Sequence, residues 1–233
     1  MANTARNQPG EERITTTAVD ETNALENLQD KYEKNKKPVN TILTVVLVAI
    51  VGFLVYQNLY KAPREEKAAR DIVDAQRYFE SDSLSKALNG DGQNPGFLKI
   101  MKKYSGTKTA NLCHYYAGIC YLKTGDAKNA IKQLEDFDGN GTAVAYAAYG
   151  LLGDAHMETG NAKKAIEYYS KATGNDKDAL ITPMYLLRSG MAYEKNNQPE
   201  EAKKAYQRIR DEYPQSMQAR DMDKNLARLG VLD

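Results

Sequence analysis

Tryptophan is absent, cysteine and histidine occur twice each, and neither sign of charge dominates, with 32 Lys and Arg against 31 Asp and Glu. That balance excludes the phosphate-driven surface of a nucleic-acid-binding protein, which needs a basic excess. The two cysteines are Cys113 and Cys120. On one helix their Cα atoms would stand about 10.5 Å apart, beyond the roughly 7 Å reach of a disulfide. They read as small core residues, not as a bridge or redox pair. With His114 and His156 as the histidines and no Cys-x-x-Cys, no ligand set has structural-metal spacing.

Catalytic patterns are missing too. There is no nucleophile beside a base, no paired-carboxylate site and no Gly-rich phosphate loop. The stretch Asn89, Gly90, Asp91, Gly92 is turn-like but lacks EF-hand spacing and a closing Glu. The expectation is a protein that is not an enzyme, with no catalytic residues, cofactor, metal or small-molecule substrate.

What the chain does have is one long uncharged run. Residues 38–60 carry no charged side chain and lie between Lys37 and Lys61. At about 1.5 Å per residue, 41–60 reaches about 30 Å, the hydrocarbon thickness of a bilayer. The run is apolar all round and ends in Tyr56 and Tyr60, which suit the headgroup level. A signal peptide would have a shorter leader and an A-x-A-like cleavage site, which the following YQNLYKAPR lacks. The chain therefore divides into a polar tail (1–38), a transmembrane helix (39–60) and a folded domain (61–233). Within the tail, 1–19 is turn-rich and expected to be disordered, and 20–36 fits a short juxtamembrane helix. Lys61, Ala62, Pro63 and Arg64 are expected to break the helix after the span.

The folded domain repeats itself. AGICYLKTGDAKNAIKQL (117–134), LGDAHMETGNAKKAIEYY (152–169) and SGMAYEKNNQPEEAKKAY (189–206) align in register. Gly118, Gly153 and Gly190 share one position, Ala130, Ala165 and Ala202 another, and Leu134, Tyr169 and Tyr206 a third. Together with Tyr121, Tyr193 and Pro214, this resembles the tetratricopeptide-repeat (TPR) pattern. A small residue at the first site lets helix A lie close on helix B, while Gly125 and Gly160 suit the turn between them. The third unit has Asn196 and Asn197 there instead. Residues 65–80 and 96–104 read as a divergent first helix pair, and 215–229 as a C-terminal capping helix. The fold class is an all-α TPR helix-turn-helix solenoid of about three full repeats behind one transmembrane helix.

TPR arrays bind ligands along a concave face lined by helix A. The family register places Leu112, Tyr115, Ile119 and Leu122 there in the first full unit. Gly150, Asp154 and Met157 follow in the second, and Met184, Leu187, Met191 and Glu194 in the third. The same positions also suit repeat stacking, and the register does not separate the two uses. As a set they are apolar and methionine-rich, which fits adaptable packing against apolar segments or an amphipathic helix. The carboxylate clamp of chaperone-binding TPR proteins needs Lys and Asn where this chain has Tyr115 and Ile119.

A short polar N-terminus, one uncleaved span and a TPR domain a few residues later resemble the ancillary SecYEG translocon subunit family, the YfgM-like proteins. Residues 87–122 are similar to its Bacteroidetes versions. The resemblance implies a single-pass bacterial inner-membrane protein, with the N-terminus cytoplasmic and the TPR domain periplasmic. It also implies translocon subunits, periplasmic chaperones, or emerging secretory and envelope polypeptides as partners. Charge leaves the orientation open, with Lys31, Lys34, Lys36 and Lys37 before the span and Lys61, Arg64, Lys67 and Arg70 after it. The alternative is a membrane-bound scaffold or receptor with its repeats in the cytosol.

Overall fold

In a computed structural model, residues 12–174 and 178–231 are described, and among them there is no β-strand, only an isolated bridge between Gly90 and Pro95. The chain divides into two units, Met1–Tyr60 and Lys61–Asp233.

Among its described residues the first unit forms α1 (Glu12–Val55), two helical stretches joined at a kink, which starts ahead of the stretch 20–36 expected to be helical. The disorder expected over 1–19 is corrected at 12–19, which are helical, and 1–11 lie outside the described residues. Pro38 is inside α1 and has no N–H to donate, and the backbone leaves helical geometry at Asn35 (φ −117°, ψ 16°). The helical stretch from Tyr32 is long and apolar enough to cross a membrane, and its apolar window is not buried against protein. Leu47, Val48 and Phe53 all stand exposed, an arrangement that water disfavours and lipid favours.

Helical structure does not stop at 61–64 as expected. The α-helical bonding gives way instead to a π-helical turn, Tyr56–Lys61, where the rings of Tyr56 and Tyr60 stack at 5.3 Å. The next helix, α2 (Ala62–Glu80), carries Pro63 in its first turn, where a missing N–H breaks no α-helical bond.

In the second unit α2 is followed by α3 (Leu84–Asn89) and α4 (Phe97–Lys103). Three helix pairs come next: α5 (Lys108–Lys123) with α6 (Ala127–Glu135), α7 (Val144–Glu158) with α8 (Ala162–Ala172), and α9 (Ile181–Lys195) with α10 (Pro199–Glu212). A 3₁₀ turn (Gln218–Asp221) and α11 (Met222–Arg228) close the unit, so the expected cap at 215–229 is shorter and broken. The short α3 had no sequence expectation.

Side chains start the helices. Thr107, Asp126 and Asn161 each accept a hydrogen bond from the backbone N–H three residues on, satisfying an amide that the helix leaves unpaired. Gly125 (φ 77°) and Gly160 (φ 80°) make the turns within the first two pairs, and Asn197 (φ 56°) makes the third. Asn tolerates this left-handed conformation better than most residues, which explains how the third repeat dispenses with glycine.

The helix pairs meet at the aligned positions. A Cβ on Gly118 would lie 2.5 Å from Leu134 Cγ, on Gly153 2.4 Å from the Tyr169 ring, and on Gly190 2.2 Å from the Tyr206 ring. Ala130, Ala165 and Ala202 are fully buried. Cys113 and Cys120 are buried free thiols, which burial pushes up to about 12 and about 11. At the C-terminal end Met222 and Leu226 pack on Tyr206 and Ile209, hiding an apolar surface the last repeat would otherwise expose.

Glu65 of α2 ties the first helix to the repeats. Its carboxylate accepts from Lys108 N (2.6 Å), Thr109 N (2.9 Å) and Thr109 Oγ1 (2.6 Å) at the start of α5. Partial burial works against its ionisation, but the bonds from Thr109 and Lys108 outweigh it and hold the carboxyl below its ordinary value of 4.5. A carboxylate depressed in this way stabilises the fold above its unfolded pKa, and the contribution is lost as pH falls through the folded value. Glu65→Ala is therefore expected to cost about 1 to 2 kcal/mol at pH 7, with the difference from wild type shrinking near pH 3. Urea unfolding of both proteins at the two pH values checks this.

Candidate protein-binding surface

The connection between α6 and α7 builds the first open feature. Asn111 of α5 donates through Nδ2 to Asp138 O and accepts from Asp138 N, both at 2.8 Å. The Asp138 carboxylate accepts from Asn140 N, and Gly141 (φ 75°) turns the chain. This double clamp sets Phe137 against Tyr115, with ring centroids 5.4 Å apart. Beside it opens a cleft of about 640 Å³ whose apolar wall is Met101, Leu112, Phe137 and Val144. Its rim carries Thr107, Asn111, His114 and Thr142.

A second cleft, of about 440 Å³, lies between α9 and the C-terminal cap, with a lining that is part apolar, Leu187, Met191, Met217 and Met222, and part polar, Gln218, Asp221, Lys224 and Asn225. Met191 is 52% exposed and Met217 77%. Methionines this open are adaptable contact groups.

Between the clefts, helix-A side chains are used internally. Tyr185 of α9 lies over Gly150 of α7, where a Cβ would fall 1.8 Å from its ring. Asp154 accepts from Tyr169 OH at 2.8 Å and is ion-paired with Arg188, whose guanidinium stands over the Tyr185 ring at 5.4 Å. Glu194 repeats the device at the next joint, accepting from Tyr206 OH (2.6 Å) and Arg228 Nη2 (2.7 Å). Arg228 holds the Glu194 carboxyl below its ordinary value, although partial burial opposes this. Burial, and then Asp154, raises the Tyr169 phenol.

The residues expected on the concave face thus separate. Leu112, Leu187 and Met191 line open clefts. Tyr115 and Ile119 are partly buried, Tyr115 against Phe137. Leu122 packs against the Ala127, Ala130 and Ala155 cluster, and Met157 and Met184 against that of Ala165, Tyr169 and Tyr185. Gly150 is covered, and Asp154 and Glu194 are engaged in ion pairs. Phe137, Met101 and Met217 had no place in the register because they lie on a connection, in the divergent pair and in the cap. Among the described residues, no three His, Cys, Asp or Glu side chains gather as a metal site.

Tetratricopeptide-repeat family profiles match residues 115–179 and 185–216. Those two segments carry tetratricopeptide repeats. Such repeats make a protein–protein interaction module, and proteins built from them are generally non-catalytic scaffolds. Two crystal structures of kinesin light chain TPR-like repeats from Podosopora anserina share the fold at 14% identity and TM-score 0.53. Each alignment covers 71% of this chain, and 85% and 86% of those chains. A structure of MamA aligns at 19% identity over 57% of this chain and 81% of that one, with a TM-score of 0.43. No curated protein matches the chain significantly.

One buried group inside the array is poised to titrate. His156 of α7 is 6% exposed, stacks on Tyr168 of α8 (5.3 Å, 11°), and its Nε2 has no hydrogen-bond partner among the described residues. Burial, then Lys164, lowers its pKa from 6.5, against the opposing charges of Glu135 and Glu167. A lowered His pKa means that the unfolded chain binds the proton first. Stability is therefore full above about pH 6.5 and declines as pH falls toward the folded value. The thermal midpoint of wild type is expected to drop between pH 7 and pH 5. His156→Phe, which keeps the stack, removes that part of the slope. Parallel slopes in thermal scans would contradict the assignment.

Proposed function

We propose that this protein is a single-pass inner-membrane anchor for a periplasmic TPR binding module. In this reading it is a YfgM-like accessory of the Sec translocon, holding periplasmic chaperones or emerging secretory and envelope polypeptides. The observation that carries the reading is the pair of open clefts, one with an apolar wall at Leu112 and Phe137 and one with exposed methionines at Met191 and Met217, on a repeat array that follows an apolar run of span length. An unfolded or amphipathic segment presents apolar side chains at irregular spacing, and methionine-rich walls accommodate that without a fixed geometry. The middle of helix A, closed by Tyr185 and the Asp154–Arg188 pair, acts as a rigid spacer between the two clefts. Tyr115 and Ile119 leave no clamp for the carboxylate tail of a cytosolic chaperone.

A photo-crosslinking residue at Leu112 or Met191 in native membranes, followed by mass spectrometry of the adducts, tests the partner. Translocon subunits, periplasmic chaperones or nascent envelope proteins are expected. A reporter fused after Asp233 tests the side. Activity in the periplasm is expected, while activity confined to the cytosol, with cytosolic adducts, would replace this reading with the cytosolic scaffold.

A further inference from the structure

The second unit begins with a cluster of cations drawn from three helices. Lys61 immediately precedes α2, and Arg64 and Lys67 lie in its first turns. Arg64 Nη2 donates to Lys103 O at 3.0 Å, and Lys108 N donates to Glu65 at 2.6 Å. These two bonds bring Lys102, Lys103 and Lys108 beside the start of α2 although they lie far along the chain. Lys67, Lys102, Lys103 and Lys108 are exposed.

The carboxylates of the same region are already occupied. Glu65 is spent on the start of α5, Glu66 pairs with Arg70 at 2.9 Å, and Asp71 accepts from Lys103 (3.0 Å) and Tyr104 (2.8 Å). Lys67, Lys102 and Lys108 face solvent there, and the cluster starts at Lys61, the residue after Tyr60, where the apolar run ends. That adjacency is covalent, so in a chain whose residues 39–60 cross a bilayer the cluster begins, at Lys61, at the level of the headgroups.

We propose that this basic collar binds the headgroups of anionic phospholipids and so holds the start of the repeat domain at the membrane surface. The proposal rests on the reading of 39–60 as a span. A Lys or Arg near an anionic membrane contributes about fivefold in affinity, and the attraction fades within a Debye length. Lys67, Lys102 and Lys108, exposed on three helices of one unit, favour an extended lipid surface over a single soluble anion.

The test uses the full chain reconstituted in vesicles. Ser105, exposed beside Tyr104, is replaced by cysteine and labelled with a fluorophore, while the buried Cys113 and Cys120 stay unlabelled. Quenching by headgroup spin-labelled lipid is compared in phosphatidylcholine alone and with about one-third phosphatidylglycerol. Quenching is expected to rise at least about threefold with the anionic lipid, and to return to the phosphatidylcholine level in the Lys67→Glu, Lys102→Glu, Lys108→Glu triple variant and at high salt. Equal quenching in both lipids, with the chain co-floating with both kinds of vesicle, would overturn the collar alone. A chain that fails to co-float with phosphatidylcholine would overturn the span, and the collar with it. Loss of the lipid effect on adding inorganic phosphate at constant ionic strength would assign the cations to a soluble anion and overturn the proposal.

Discussion

Gly153→Leu is expected to destabilise the repeat domain by about 3 kcal/mol, the upper end of overpacking costs, which lowers Tm by about 10 °C in a domain of this size. A Cβ alone at Gly153 would already meet the Tyr169 ring at 2.4 Å. The ring cannot step aside easily, being 2% exposed and held by its hydroxyl on Asp154. Gly153 also sits in the middle pair, so a displaced α8 disturbs the repeats on both sides. Glu158→Leu, at an exposed site on the same helix, should change little. Coupling gives the sharper check, because Tyr169→Ala makes room, and the double variant should lose less than the sum of the two singles. An unchanged melting curve for Gly153→Leu would mean that the two helices do not cross there.

Asp154→Ala should cost about 2 kcal/mol, because it leaves the Tyr169 hydroxyl without its acceptor and Arg188 without its counter-charge. Asp154→Asn retains an acceptor for Tyr169 and should lose less. Chemical denaturation with a circular dichroism readout measures both. The result also decides between two uses of the residue. A variant that keeps wild-type stability but loses partner crosslinks would return Asp154 to the binding surface.

The helix pairs were legible because close crossing allows few residue types. Gly118, Gly153 and Gly190 face Leu134, Tyr169 and Tyr206 at spacings a single repeat register reveals. The clefts were less legible, since their walls come from outside that register. Phe137 depends on Asn111 clamping a connection of unusual length, and Met217 on where the C-terminal cap settles. The register leaves Asp154 and Glu194 open between groove and stacking because their partners Arg188 and Arg228 lie 34 residues further on, past the next turn of the array. The break expected at 61–64 did not appear because a π-helical turn absorbs the change of bonding before Pro63.

The proposed binding of protein runs through the two clefts, at Leu112 and at Met191. Its most direct test is quantitative photo-crosslinking in native membranes of the wild type and the Leu112→Lys, Met191→Lys double variant. The crosslinker is placed at Val144, on the rim of the first cleft, and helicity is measured in parallel. Two charged side chains in place of apolar contacts, at about 1 kcal/mol or more each, predict a loss of adduct of at least about tenfold with helicity unchanged. Undiminished adduct in the folded double variant would contradict the account and move the binding site off the helix-A clefts.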